Sequence, residues 1–222
     1  MGTLNDWLLP AGAELSDIYA IGFQEMVDLN AMNVAIDGGK AVQRSQFWSE
    51  KIVESLDSTG SKYKLVMEKH LVGLLVLVFV RAAIEGKVKD VRATSTGVGL
   101  LGMMGNKGAV AVRFNYYDSA VCIVCSHLAA HRGAIAARNS DVKSILERSV
   151  FATEFGGEED GASGAEGQNT DLVVRPRHGA DKSRAKDLAI LDHEFVFWIG
   201  DLNYRIDEEL STDDIFQVSA TH

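Results

Sequence analysis

The chain has 222 residues, 46% of them hydrophobic, enough for one substantial core and too evenly composed to divide into two domains. Its 31 Asp and Glu against 22 Lys and Arg give a net charge of −9, which repels nucleic acid over most of the surface, disfavours a general DNA binder and requires a local basic site for any polyanionic ligand. The longest uncharged apolar run, LVGLLVLVFV at 71–80, is about half of the roughly 20 residues a membrane-crossing helix requires, so it reads as a buried strand. The opening MGTLNDWLLP has no basic segment of the signal-peptide kind, and Asp6 stands where a myristoylation signal carries Ser or Thr; the expected location is intracellular, in the cytoplasm.

In chain order, the first element is DIYAIGFQE at 17–25, a short apolar run of the kind that fills a sheet covered on both faces. QFWSEKIVESLDS at 46–58 has apolar residues three and four apart and reads as a helix laid on a sheet. The stretch 63–81 divides into two strands with a break near His70 to Gly73, and 108–127 is a hairpin turning between Asn115 and Ser119. The second arm of that hairpin, AVCIVCSHL at 120–128, is another core strand; a second helix follows at 138–150, and EFVFWIGDLN at 194–203 is a third core strand. Antiparallel hairpins mixed with strand–helix alternation make the class α/β or mixed α+β. Residues 156–187 have almost no large apolar side chains and read as one long surface loop, acidic first and then basic through Arg175, Arg177, Lys182, Arg184 and Lys186. Such a loop is either a solvated insertion or a contact for an anionic membrane surface. Cys122 and Cys125 are three residues apart inside a β-branched run, so they point to opposite faces and read as buried free thiols, not as a metal or disulfide pair.

Each core strand ends in polar groups: Gln24 and Glu25 after the first, His127 at the end of the second, and Asp201 and Asn203 after Gly200 in the third. Ligands of open α/β sheets collect beyond the carboxyl ends of strands, so these groups can converge although far apart in sequence. Such a sparse acidic set suits Mg²⁺, which takes only one or two protein carboxylates, better than Ca²⁺ or Zn²⁺. The alternative is that Glu25 and Asp201 merely cap turns. A strand-end His127 can bind a phosphate or serve the core, and His131 four residues on lacks the glutamate of a zinc-protease helix. GVGLLGMMGNKGAVAV at 97–112 has glycines in dinucleotide-binding spacing but runs into a strand, not a helix, and Asn106 breaks a Walker pattern. What remains is a glycine-rich loop presenting Asn106 and Lys107 to an anionic ligand.

Together, IYAIGFQEMVDLN, GLLGMMGNKGAVAVRF, CSHLAAH and FWIGDLNYRI, in this order, resemble the catalytic domain of the inositol polyphosphate 5-phosphatases of the endonuclease/exonuclease/phosphatase superfamily. The resemblance implies a two-sheet sandwich flanked by helices and Mg²⁺-dependent hydrolysis of the 5-phosphate of phosphoinositides or soluble inositol phosphates. By it, Glu25 holds Mg²⁺, His127 and Asn203 grip the scissile phosphate, Asp201 orients and helps deprotonate the attacking water, and Asn106 and Lys107 face the inositol headgroup. Tyr204 and Arg205 also match and are expected to serve packing or an ion pair; His131 matches with its role open. Peripheral contact with the cytosolic face of a membrane stays an alternative carried by the 156–187 loop, and no nucleic-acid partner is expected.

The chain departs from that pattern at both ends. Nothing before LNDWLLP supplies the family's W-N-x-N-type strand, and neither the basic W-C-D-R-I-like segment nor the terminal S-D-H motif follows GDLNYRI. The expectation is therefore a single incomplete catalytic domain over residues 1–222, inactive and unstable by itself because exposed sheet edges and apolar faces erode a stability of only about 5–15 kcal/mol. Two alternatives are a nuclease of the same superfamily, disfavoured by the acidic charge and by the Gly-Asn-Lys-Gly and S-H-L-A-A-H segments, and a non-catalytic interaction module retaining the fold.

Overall fold

The computed structural model describes residues 4–9, 14–27, 38–99, 107–152 and 187–205. In chain order these form α1 (Leu4–Leu8), β1 (Ile18–Phe23), α2 (Gly38–Asp57), β2 (Tyr63–Leu71), β3 (Leu74–Arg81), a 3₁₀ turn, β4 (Val88–Gly97), β5 (Gly108–Tyr116), β6 (Ser119–His127), α3 (Ile135–Arg148), the short pair β7 (Val150–Phe151) and β8 (Leu188–Ala189), a second 3₁₀ turn and β9 (Phe195–Asp201). One sheet has the order β1-β3-β2 and is antiparallel throughout. The other has the order β4-β5-β6-β9, antiparallel except for the parallel pairing of β6 with β9.

The period-two alternation of the strands builds four layers. On β3, Leu74, Val76 and Val78 face Val110, Val112 and Phe114 of β5 and Ile123 and Cys125 of β6, forming the core between the sheets. The intervening Leu75, Leu77 and Phe79 face the other way, onto Ile52 and Leu56 of α2. On the far side, Ala109, Ala111, Cys122 and Val124 pack under Ile145 of α3 with Phe151 and Ile190. Burying a Leu, Ile, Val or Phe side chain contributes about 1.5–3 kcal/mol, so β3, covered on both faces from Leu74 to Val80, is a main stabilising element. This is the two-sheet sandwich flanked by helices, and Cys122 and Cys125 lie on opposite faces of β6 as their spacing requires. Burial pushes the two thiols up to about 12 and about 11 respectively, so both stay protonated and unreactive.

Several boundaries differ from the sequence expectation. Helix α2 starts at Gly38, well before 46, because its buried stripe begins with the small residues Ala41 and Ser45, which carry little hydrophobic signal. The second helix spans 135–148, not 138–150, and Val150–Phe151 leaves it to pair with β8. Strand β4 has no counterpart in the expected elements: its VKDVRATSTG is polar because it is an edge strand with a half-exposed face, and only pairing with β5 makes it a strand. The expected loop at 156–187 lies outside the described residues save Asp187.

The two sheets approach closely at Gly22. A Cβ there would lie 2.6 Å from Cys125 Sγ and 3.1 Å from Ile199 Cδ1, so Gly22 lets β1 lie against β6 and β9 near the tips that carry Glu25, His127 and Asp201. Gly22→Ala is expected to cost about 1–3 kcal/mol by overpacking, whereas Gly22→Ala combined with Cys125→Ala is expected to lose less than the sum of the two single changes, since the second removes the clashing sulfur. Denaturant titrations of the four proteins of the cycle check this; additive losses would show that the contact does not govern the approach.

Candidate active site

Three strand tips meet at one edge of the sandwich. The tip of β1 is turned and pinned: Gln24 donates from Nε2 to Cys125 Sγ at 3.2 Å, the Met26 N–H donates to Gly73 O at 3.0 Å, and Glu25 between them adopts φ +54°. A left-handed backbone is uncommon for glutamate and is found where surrounding contacts impose it, often at functional sites. Here it leaves the Glu25 carboxylate pointing outward with its side chain 71% exposed.

The other two tips are set by register. Parallel pairing places His127, the last residue of β6, opposite Asp201, the last of β9. Gly200 makes the approach possible: at φ +118°, a Cβ would fall 2.1 Å from the Ser126 carbonyl oxygen. His127 Nε2 then lies 3.5 Å from Asp201 Oδ2 and 3.9 Å from Glu25 Oε1. Asp201 Oδ1 accepts the Asn203 N–H at 3.0 Å, leaving Oδ2 directed towards the histidine. Lys107 comes from the residue just before β5, where Gly108 pairs with His127, and its Nζ lies 2.5 Å from His127 Nε2.

An ammonium can only donate, so His127 Nε2 is the acceptor and the imidazole is neutral with its proton on Nδ1. The electrostatics agree: burial first, and the Lys107 charge second, push the His127 pKa below its ordinary value, against the opposing pull of Asp201 and Glu25. Burial likewise lowers the pKa of Lys107 despite attraction from Asp201, Glu25 and Asp141. The site therefore holds a partly desolvated cation over a neutral histidine, flanked by two carboxylates.

Glu25, Lys107, His127, Asp201 and Asn203 of the expected set are brought together; Asn106 lies outside the described residues. Asn203 is buried, in a left-handed conformation that asparagine tolerates. Its Nδ2 donates to Leu128 O at 3.1 Å and its Oδ1 accepts from Arg205 at 2.9 Å, so in this conformation its amide holds the two tips together. Tyr204 packs its ring on the Arg138 guanidinium, 5.1 Å from the centroid, the packing role expected of it. The exposed His131 contributes its carbonyl to Arg138. Two residues were not singled out from sequence. Asp141, whose carboxyl is raised by burial, accepts the Ala129 N–H at 2.9 Å, and Arg138 is wholly buried beneath the turn after His127. The available signal was a charge within the apolar stripe of α3, Arg138 being seven residues from the buried Ile145.

The description "Endonuclease/Exonuclease/phosphatase family 2" matches residues 1–222. Synaptojanin-2 of Homo sapiens is 31% identical over 96% of this chain and 12% of its own length. Inositol-1,4,5-trisphosphate 5-phosphatase 1 of Schizosaccharomyces pombe is 33% identical over 91% of this chain and 16% of its own length. The crystal structure of the inositol polyphosphate 5-phosphatase domain of SPsynaptojanin, in complex with inositol (1,4)-bisphosphate and calcium, superposes with a TM-score of 0.70 at 28% identity, covering 98% of this chain and 52% of that one. The fold and the matching family model define a protein of the endonuclease/exonuclease/phosphatase class. Within that class, the chain belongs to the inositol polyphosphate 5-phosphatase domain family. It spans about half of the solved domain and less than a fifth of these curated relatives.

The donor set fits a hard divalent cation. Among the described residues no group of three or more His, Cys, Asp or Glu side chains could hold a metal by itself, but the outward Glu25 carboxylate beside Asp201 provides the one or two oxygen donors that Mg²⁺ needs when water and phosphate oxygens complete its octahedron. The lowered pKa of Lys107 has a consequence for stability. Between its folded value and the ordinary 10.5 the unfolded chain binds the extra proton, so folding stability rises with pH across that window, and at pH 7 the charged lysine opposes folding. Lys107→Met is expected to raise Tm at pH 7 in EDTA while weakening anion binding; thermal melts of the two proteins check this, and a lower Tm in the variant would contradict it.

Proposed function

We propose that the site hydrolyses the 5-phosphate of inositol phosphates or phosphoinositides with Mg²⁺ as the cofactor, acting on headgroups at the cytosolic face of membranes or free in the cytoplasm. The observation that carries this reading is the convergence of Glu25, His127 and Asp201 from three strand tips, with Lys107 in hydrogen-bond contact with the histidine. The names of the relatives support the substrate class: inositol trisphosphate 5-phosphatases, and a domain solved with inositol bisphosphate.

Glu25 would hold the cation, with Asp201 close by. Mg²⁺, when bound, supplies charge neutralisation at the phosphoryl oxygens. The residues of the chain account for the rest. The Asp201 Oδ2 oxygen, not used by the Asn203 N–H, is free to accept a proton from a water aligned for attack on phosphorus. As the water oxygen bonds to phosphorus, the bond to the inositol O5 breaks and that oxygen leaves with the electron pair, to be protonated to the alcohol. Lys107 gives one N–H to His127 and keeps two donors for the phosphoryl oxygens, where a partly buried ammonium is worth more than in water. No covalent intermediate forms on the protein.

The 222 residues alone are proposed to turn over far more slowly than a whole domain, since they match 52% of the solved relative. The test compares the chain alone with a chimaera in which it replaces the matching part of that relative. With inositol 1,4,5-trisphosphate, phosphate release is expected from the chimaera in Mg²⁺ and not in EDTA, and release from the chain alone at the chimaera's rate would refute the slow-fragment expectation. In the chimaera, Asp201→Asn is expected to lower kcat by about 10²–10⁴-fold with KM nearly unchanged, the magnitude of a lost general base. Glu25→Gln is expected to raise the Mg²⁺ concentration needed for half-maximal rate. Unchanged rates in both variants would sink the reading.

A further inference from the structure

The turn that follows His127 is gripped from two sides. Leu128 gives its N–H to the Asp201 carbonyl at 3.0 Å and receives the Asn203 Nδ2–H on its own carbonyl at 3.1 Å. Ala129 gives its N–H to Asp141 Oδ2 at 2.9 Å and receives an N–H of Arg138 on its carbonyl at 3.3 Å. The same guanidinium donates to His131 O at 2.6 Å and to Arg132 O at 3.3 Å. Arg138 is completely buried, and its Nε finds no hydrogen-bond partner among the described residues. A desolvated cation held by neutral carbonyls, with that N–H unpartnered, carries an energetic cost. The Tyr204 ring lies over its Cζ, and the Tyr204 hydroxyl donates to Asn139 Oδ1 at 2.5 Å on the same helix. Helix α3 therefore touches both the turn after β6 and the segment after β9.

We propose that Arg138 and Asp141 are positioning residues: through the 128–132 turn and Tyr204 they fix how far His127 stands from Asp201 and Asn203. An arginine suits this place because its planar fork reaches three carbonyls at once, which a lysine ammonium cannot reproduce. Asp141 serves by its oxygen as an acceptor, so an asparagine can do the same. The consequence for ligand binding rests on the phosphatase reading; the brace itself does not.

The test follows amide exchange by NMR in the 222-residue chain in EDTA, with the Val78 amide of the central strand as internal reference. Arg138→Lys, Asp141→Ala and Tyr204→Leu are each expected to lower protection of the Leu128 amide, which joins the two tips, by about 10-fold or more while Val78 changes little, as local opening requires. Asp141→Asn is expected to restore the protection. Leu128 protection unchanged in Tyr204→Leu and Asp141→Ala, or falling in step with Val78 in the half-exposed Tyr204 variant, would overturn the proposal, and both variants leave Arg138 in place should its replacement fail to fold. In Mg²⁺, calorimetric titration with inositol 1,4-bisphosphate is expected to show about 10-fold weaker binding for Tyr204→Leu, a change that lost packing alone would not produce well below Tm. Wild-type affinity in that variant would overturn the functional half. A wild-type chain that binds no inositol phosphate counts against the phosphatase reading and leaves the exchange result standing.

Discussion

Parallel pairing of β6 with β9 is the constraint on which the site depends. Because the two strands run the same way, their carboxyl ends finish at the same edge, and the register brings His127 directly opposite Asp201. A slip of one residue would turn every side chain of β9 to the other face, removing Val196 and Trp198 from the outer core and Asp201 from the histidine. Three contacts oppose such a slip: the absent side chain at Gly200, the indole N–H of Trp198 on Ser126 Oγ at 2.8 Å, and the Leu128 N–H on the Asp201 carbonyl. The third tip is held by the other sheet, so Glu25 reaches the site only because Gly22 allows the sheets to close against each other.

The same edge concentrates opposing electrostatic demands. The protein carries a net charge of −9, yet the group nearest His127 is the Lys107 ammonium. Burial weakens its charged form while Asp201, Glu25 and Asp141 support it. A polyanion would therefore meet a net repulsive charge overall and, at this edge, donors that are already oriented and partly dehydrated. Orientation in advance is what makes such donors effective, because a phosphoryl group gaining charge then needs little further rearrangement around it. The cost falls on folding stability, as is usual where a site is built for a ligand rather than for the empty protein.

Below this edge the layers divide their tasks. The inter-sheet core of β3, β5 and β6 supplies rigidity, and α2 covers one outer face. Helix α3 covers the other while sending Arg138 and Asp141 to the turn that follows His127. A helix that buries an apolar stripe and also captures loop backbone passes the stiffness of the core to a segment that would otherwise be as mobile as most surface loops.

The sequence by itself determined the elements whose signal is local. Continuous apolar runs marked β1, β3, β6 and β9, the alternation on either side of Tyr117 marked the β5–β6 hairpin, and polar residues at strand ends marked Glu25, His127 and Asp201, since strand termini in a layered fold are where polar groups reach solvent. Four motifs in order carried the family likeness. Tertiary structure decided what depends on a neighbour. Strand β4 exists only because β5 offers it an edge, α2 begins early because a sheet accepts small residues against it, and the Asn203 amide holds the Leu128 carbonyl because two strand ends meet there. Arg138 and Asp141 stayed hidden for the same reason: a charge on a helix reads as solvent-facing until the turn it supports has been folded onto it.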